Sequence, residues 1–372
     1  MKKILIILII LLLSGCYNYK ELNKLAIVSS ISIDKKDDKY LVGAQVMNIK
    51  TKDESESSKV IVYEETGKTI EEALRKMSNK SNKMLYGGHL SKLVISEEVA
   101  KDGIIDIIDL FQRLPEIKDE FTITISKGIS ASNVIKIMTS SESIPADYVK
   151  KTIENANVEG ALTYNSKLDE FVSYYLKDYI DPVISVIEVK NYNEKGTSLD
   201  NNKYTDSKTK IVLDNIGITY KGKLEKFLDK NETIGYNFLN DSVNKTVIPI
   251  KCSSISLLNS KTKYKVKKEN KYKIYITINS NGSINEYNCN NKLNENTIKN
   301  LEKKTEKEIR KYVNSVLRVS NNSKSEFLGL KRKIYLNYPV YDNEEYDLKI
   351  NIKVNLSRKG EIRNSTKGEK YE

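Results

Sequence analysis

The first sixteen residues set the conditions under which the rest of the chain folds. Lys2 and Lys3 precede an apolar run, Ile4–Leu13, which ends in Ser14-Gly15-Cys16. Ten residues are too few to cross a hydrocarbon core of about 30 Å as a helix, but they suit the apolar region of an export signal. The exit Leu13-Ser14-Gly15-Cys16 resembles a bacterial lipobox, in which the Cys thiol takes a diacylglyceryl group and cleavage leaves Cys16 as the first residue. Cys16 is therefore the candidate lipidation site, through its sulfur and, after cleavage, its amino group. The expectation is a leader over residues 1–15 and a mature chain that folds outside the cytosol, held to a membrane surface by acyl chains of the palmitate type. Two chains hold far better than one.

Composition then removes most catalytic and metal chemistry. The 372 residues contain one histidine, three cysteines and no tryptophan. Histidine-rich zinc sites, Cys₄ sites and a disulfide-dense scaffold are thereby excluded. No catalytic residue, cofactor or metal is expected. Once Cys16 carries lipid, Cys252 and Cys289 remain, and they form either one disulfide or two buried thiols. The formal charge is +12, from 62 Lys+Arg against 50 Asp+Glu, yet only Arg75, Arg113, Arg310, Arg318, Arg332, Arg358 and Arg363 are arginines. Nucleic-acid readers lean on the planar arginine fork. Lysine dominance and an export leader both speak against a nucleic-acid partner. Most of the charge reads as solvated surface, with attraction to anionic headgroups as a weaker reading.

Along the mature chain the patterns alternate between periods of two and 3.6 residues. Leu25–Asp34 and Tyr40–Asn48 read as a hairpin across Lys35–Lys39, and Val60–Tyr63 as a further strand. Thr69–Lys80 is a helix, with Thr69 and Glu72 at capping-box spacing. Tyr86-Gly87-Gly88-His89 is a turn into the strand Leu90–Ile95. Ser96 caps a helical stretch that breaks at Gly103, and Phe121–Ser126 alternates again. Helices are expected near Ala131–Met138, Ala146–Asn155 and Lys167–Leu176, then a strand to Val189. Residues 191–208 are almost wholly polar and mark a linker. The expected division is 16–190 as an N-terminal α+β region with room for two subdomains, 191–208 as linker, and 209–372 as a C-terminal α+β domain. The latter shows short strands near Lys245–Ile250, Ser253–Leu258, Thr262–Lys267 and Tyr272–Asn279, and a turn at Asn281-Gly282. A long helix over Glu295–Val319 and a closing strand over Tyr346–Leu356 complete it. The fold class expected is α+β, with antiparallel or mixed sheets and the long helix packed on the C-terminal sheet.

Candidate sites in the mature chain are weak. His89 has no acid or nucleophile beside it in sequence and reads as a turn residue. Asp34, Asp37 and Asp38 lack the glycine and distal glutamate of a calcium loop and read as a solvated hairpin turn. Lys303-Lys304 and Lys331-Arg332-Lys333 read as solvated faces rather than partner surfaces.

An ordered set of segments resembles the Ger(x)C family of spore germination lipoproteins. The lipobox is followed by Tyr17-Asn18-Tyr19-Lys20-Glu21-Leu22-Asn23-Lys24-Leu25-Ala26-Ile27-Val28 and the Ile33-Asp34 strand end. Then come Thr69–Leu74, Leu85-Tyr86-Gly87-Gly88-His89-Leu90-Ser91-Lys92, Val94–Gly103 and Phe111–Ile117. Gly217–Leu224, Phe327-Leu328-Gly329 and Val354–Gly360 follow in the second half. The chain departs from the family at Tyr17-Asn18, where Trp-Asp is usual, at Ser32, and at Glu326 and Leu330. The resemblance implies a lipoprotein of about three subdomains on the outer face of the spore inner membrane. It implies integral-membrane A and B subunits as partners, a receptor responding to small nutrients that the complex binds, and no enzymatic activity. Only Cys16 carries a residue role across. The runner-up is a solute-binding lipoprotein of a transporter, and a surface hydrolase working through paired carboxylates is third.

Overall fold

The structure, a computed structural model, describes residues 21, 24–47, 60–138, 145–198, 201, 209–290 and 293–357. Cys16 lies outside the described residues, as do 199–200 and 202–208 of the polar stretch.

Strands β1 (Leu25–Lys36) and β2 (Lys39–Met47) form the expected hairpin, and β3 (Val60–Gly67) extends it along β2. Asp37 turns the hairpin with φ 53°, a left-handed conformation that Asp tolerates where no glycine is present. Helix α1 (Ile70–Ser78) starts at Thr69, whose hydroxyl accepts the Glu72 N–H at 3.1 Å. The Glu72 carboxylate reaches one residue further back than a capping box requires, accepting the Lys68 N–H at 2.7 Å. Next come β4 (Met84–Tyr86), β5 (Lys92–Ser96), α2 (Glu97–Asp102) capped by Ser96, α3 (Ile105–Arg113) and β6 (Thr122–Lys127). They are followed by α4 (Ala131–Lys136), α5 (Pro145–Gly160), α6 (Leu168–Tyr175) and β7 (Val183–Lys190).

After a 3₁₀ turn at Glu194–Thr197, β8 (Lys210–Val212), β9 (Ile216–Tyr220) and β10 (Lys223–Leu228) return to the same sheet. Residues 210–228, grouped by sequence with the C-terminal domain, thus complete the N-terminal sheet. Its order is β10-β9-β7-β6-β5-β1-β2-β3, with β4 beside β1 and β8 beside β7. The centre, β1-β5-β6-β7, is parallel and both flanks are antiparallel. Parallel strands require both faces to be covered, and here they are. On one face Ile31, Ile33, Leu93, Ile95, Ile123 and Ile125 pack under α1, α2, α3 and α6. On the other, Val94 and Ile187 meet α4 and α5.

The second sheet follows α7 (Lys230–Leu239), which opens with a capping box between Asp229 and Glu232. It comprises β11 (Thr246–Ile250), β12 (Ser253–Lys268), β13 (Tyr272–Tyr287) and β14 (Tyr346–Ser357), in that order. Helices α8 (Glu295–Asn321) and α9 (Leu330–Asn337) connect β13 to β14, which therefore run parallel. Leu301, Ile309, Val313 and Val316 of α8 share one core with Ile274, Ile276 and Ile278 of β13, and that core continues into Val183, Ile216 and Ile218 of the first sheet. Gly235 lets α7 cross α8 closely, because a Cβ there would stand 2.2 Å from the Tyr312 carbonyl oxygen.

Two expectations fail in this sheet. Ser253–Leu258 and Thr262–Lys267 are one strand, carried past Leu258 by a bulge. Asn281-Gly282 is no turn but lies inside β13 opposite that bulge, where a Cβ on Gly282 would stand 2.6 Å from the Ser256 oxygen. The glycine serves close backbone approach. The ends of this hairpin are joined by a Cys252–Cys289 disulfide with Cα atoms 5.1 Å apart, which settles the question the sequence left open.

Candidate functional site

The alternation of the first sheet places isoleucine and leucine on one face, and Ser30, Ser32, Asp34, Lys92, Thr122, Thr124, Ser126 and Ser185 on the other. Such a pattern ordinarily faces water. Here α4 and α5 cover it, and each of these polar side chains is buried. Gln45 bridges the layer: its amide donates to the Ile135 carbonyl at 2.6 Å, and its oxygen accepts from the Ser29 hydroxyl at 2.8 Å. Asp34, expected in a solvated loop, instead turns inward, because its carboxylate accepts the N–H groups of Ala131 and Ser132, each at 2.7 Å, at the start of α4. Burial pushes its carboxyl above the usual range, and those two bonds pull it back. Glu64 beside it accepts from the Ser132 hydroxyl and from Lys136 at 2.7 Å.

The unusual member of this layer is Lys92. It pairs in register with Ser30 on β1 and Thr122 on β6, so the three side chains share one row. Lys92 is 1% exposed, and its ammonium nitrogen is buried without a hydrogen-bond partner. Burial holds its pKa well below 10.5, against the attraction of Glu154 and Asp147, with Lys150 adding to the depression. Nothing in the local sequence marks it; the signal available was a lysine in phase with the serine and threonine positions of the neighbouring strands.

Beside this row a cleft of about 380 Å³ opens between α5, β6 and the start of α6. It is lined by carboxylates from Glu120, Glu154 and Asp169, by the ammonium groups of Lys150 and Lys167, and by Thr122 and Asn165. The Thr122 hydroxyl is engaged with the Asn165 side-chain oxygen at 3.1 Å. The cleft gathers both charge signs over a short span. His89 stands apart, exposed on its turn with the Tyr86 ring 6.5 Å away. Among the described residues, no three His, Cys, Asp or Glu side chains gather as a metal site, and no helix is long and apolar enough to cross a membrane. Cys16, the predicted lipidation site, is outside the described residues.

Comparison with known proteins gives these features a family. Residues 18–189 match the model of the spore germination protein N-terminal domain, and residues 214–366 match that of the spore germination B3/GerAC-like C-terminal domain. Relatives of full extent include spore germination protein KC of Bacillus subtilis, 27% identical over 354 residues covering 90% of this chain and 87% of the relative. Spore germination protein B3 of the same organism is 24% identical, covering 90% of this chain and 88% of that protein. Spore germination protein GerQC of Bacillus cereus is 21% identical, covering 92% of each. The crystal structure of the GerBC protein superimposes with a TM-score of 0.50 at 20% identity, over 88% of this chain and 96% of that one, so the α+β architecture is shared. With both domain models matched in order and the motifs of both halves in place, the chain belongs to the Ger(x)C family of spore germination proteins.

Proposed function

We propose that this chain is the lipid-anchored C subunit of a nutrient germinant receptor. It acts on the outer face of the spore inner membrane with integral-membrane A and B subunits, in a binding and assembly role rather than as an enzyme. The observation that carries the reading is a match to spore germination domains along nearly the whole chain, preceded by a leader that ends at Cys16. Eight residues separate Cys16 from Leu25, the first residue of β1, so nine backbone steps join them. A nine-residue span reaches at most about 30 Å, so diacylated Cys16 keeps the folded chain close to the bilayer. The tether raises its effective concentration beside membrane partners.

The test is Cys16→Ala in spores. The variant is expected to fold and accumulate, to leave the membrane fraction, and to slow nutrient-triggered germination. Germination at the full rate with the protein off the membrane would overturn the anchored role. The charged cleft is the feature that favours the runner-up, a solute-binding lipoprotein. Tight binding of one metabolite by the purified chain, together with unaltered nutrient germination when the gene is deleted, would shift the reading to that alternative.

A further inference from the structure

Among the described residues, nothing covers one face of the second sheet, and that face is a lattice of lysines. Strands β12, β13 and β14 are in register through four successive outward rows: Lys261–Asn279–Lys353, Lys263–Thr277–Asn351, Lys265–Tyr275–Lys349 and Lys267–Lys273–Asp347. The alternate positions, Tyr272, Ile274, Ile276 and Ile278, are buried under the helices, so these twelve positions point away from the core. They hold seven lysines and one carboxylate, Asp347. Strand spacings of about 4.8 Å and 6.8 Å per two residues make the lattice roughly 10 Å by 20 Å.

Local pairing neutralises only its margins. Lys261 lies 3.7 Å from Asp241, and Lys273 is bonded to Glu269. Among the described residues no ion pair joins a carboxylate to Lys263, Lys265, Lys267, Lys349 or Lys353. Only Lys267 and Lys273 stand directly opposite each other; the other lysines flank the neutral side chains of β13, and their summed positive field is one that an anionic surface meets favourably. At the far end of the same face Val247 is 55% exposed, and Leu258, at the bulge, is 40% exposed.

We propose that this open face docks on an anionic phospholipid surface, lying against the bilayer to which the chain is tethered. The inference rests on the membrane-anchored reading above. Three features choose lipid over other polyanions. The face is an open two-dimensional array on a sheet surface rather than a groove. Its cations are all lysines, point charges without the fork that reads phosphate and base edges in nucleic acid. Its aromatic side chain, Tyr275, is flanked by the Lys267 and Lys349 ammonium groups, 5.7 and 5.6 Å from the ring centre, and so offers no free anchor for a protein partner. Exposed Val247 and Leu258 add apolar contact of the kind an interfacial surface uses.

The test uses residues 16–372 with Cys16→Ala, so that no acyl chain contributes. Sedimentation is measured with vesicles of phosphatidylcholine alone and of phosphatidylcholine mixed with phosphatidylglycerol. Binding is expected only to the anionic vesicles, and it should fade in high salt as the Debye length shortens. Each lysine near such a surface changes partitioning about fivefold. Lys263→Gln, Lys265→Gln and Lys267→Gln together should therefore weaken binding by about a hundredfold. Lys299→Gln, Lys303→Gln and Lys307→Gln on the exposed side of α8 make the same change in net charge and should alter it by less than about twofold. If the first triple fails to fold by circular dichroism, Lys349→Gln with Lys353→Gln on β14 tests the same face. Equal losses from the two triples, equal binding to neutral vesicles, or tighter binding to duplex DNA or polyglutamate than to anionic vesicles would each overturn the proposal. Germination of a deletion strain is read separately. Vesicle binding without a germination defect removes the receptor reading and keeps the face; the reverse removes the face alone.

Discussion

The two sheets of this molecule handle their faces in opposite ways. The first, with a parallel centre, is covered on both sides, and its second face is polar yet buried beneath α4 and α5. Among the described residues, the second is covered only on the side under α7, α8 and α9, and its other side is crowded with lysine. Alternation in sequence therefore means different things in the two halves. Ser-Ile-Ser-Ile-Asp over residues 30–34 and Thr-Ile-Thr-Ile-Ser over residues 122–126 place polar groups in an interior layer, whereas Lys-Thr-Lys-Tyr-Lys-Val-Lys over residues 261–267 places them outside. The first arrangement builds a polar interior with a charged cleft at its edge. The second builds a surface.

Substitutions on neighbouring residues of one strand sharpen the contrast. In β5, Leu93→Ala should cost about 2–5 kcal/mol and Val94→Ala more than about 1 kcal/mol, since each leaves a cavity on its own covered face. In β13, Ile276→Ala should cost about 2–5 kcal/mol, whereas Thr277→Ala on the open face should stay within about 0.5 kcal/mol. Denaturant titrations give all four values. A large effect at Thr277 would mean that something covers the lysine face.

The disulfide belongs to the second sheet alone. Replacing Cys252 and Cys289 by Ser should cost about 3–4 kcal/mol, from the loop of 37 residues it closes. Hydrogen exchange should then quicken first at Ser253–Leu257 and Ser283–Tyr287, where the hairpin ends meet. Faster exchange in β5 and β6 before these segments would contradict a local staple.

Lys92 gives the smaller effect, and one that depends on pH. Its folded pKa is depressed by burial, so between that value and 10.5 the unfolded chain holds the extra proton. Stability of the native protein therefore rises with pH across that window, by at most about 1.4 kcal/mol per unit. Below the window the penalty of burying the lysine is present in full. Lys92→Met should remove both, raising stability by about 1–3 kcal/mol at pH 6 and by little near pH 10.5. A gain independent of pH would mean that burial does not depress the Lys92 pKa.

Much of this fold was legible from period alone. The hairpin at Leu25–Met47, α1 with its Thr69 cap, the stop at Gly103, and α8 with its apolar stripe each follow from local pattern and capping chemistry. What was not legible depends on partners distant in sequence. No local signal tells that β8–β10 cross the polar stretch to complete the first sheet, or that Ser30, Lys92 and Thr122 meet in one row beneath α5. Asn281-Gly282 misled because a dipeptide favoured in turns also suits a bulged strand where two backbones approach closely. The lysine face escaped a search for contiguous basic runs because its charges alternate along β12, where the period of two gathers them on one side. Of the two runs that did stand out, Lys303-Lys304 sits on the exposed flank of α8, whereas Lys331-Arg332-Lys333 lies on α9, where Lys331 pairs with Glu326 and Arg332 donates to the Asp178 carbonyl at 2.9 Å.

The central claim, that the chain works in a receptor for nutrients, is tested most directly by deleting its gene and following germination with each candidate nutrient, beside a non-nutrient trigger. The expected result is loss of the response to at least one nutrient, an unchanged response to the non-nutrient trigger, and recovery when the wild-type gene is restored. Spores that answer every nutrient at the wild-type rate, with no related receptor left in the strain, would contradict it.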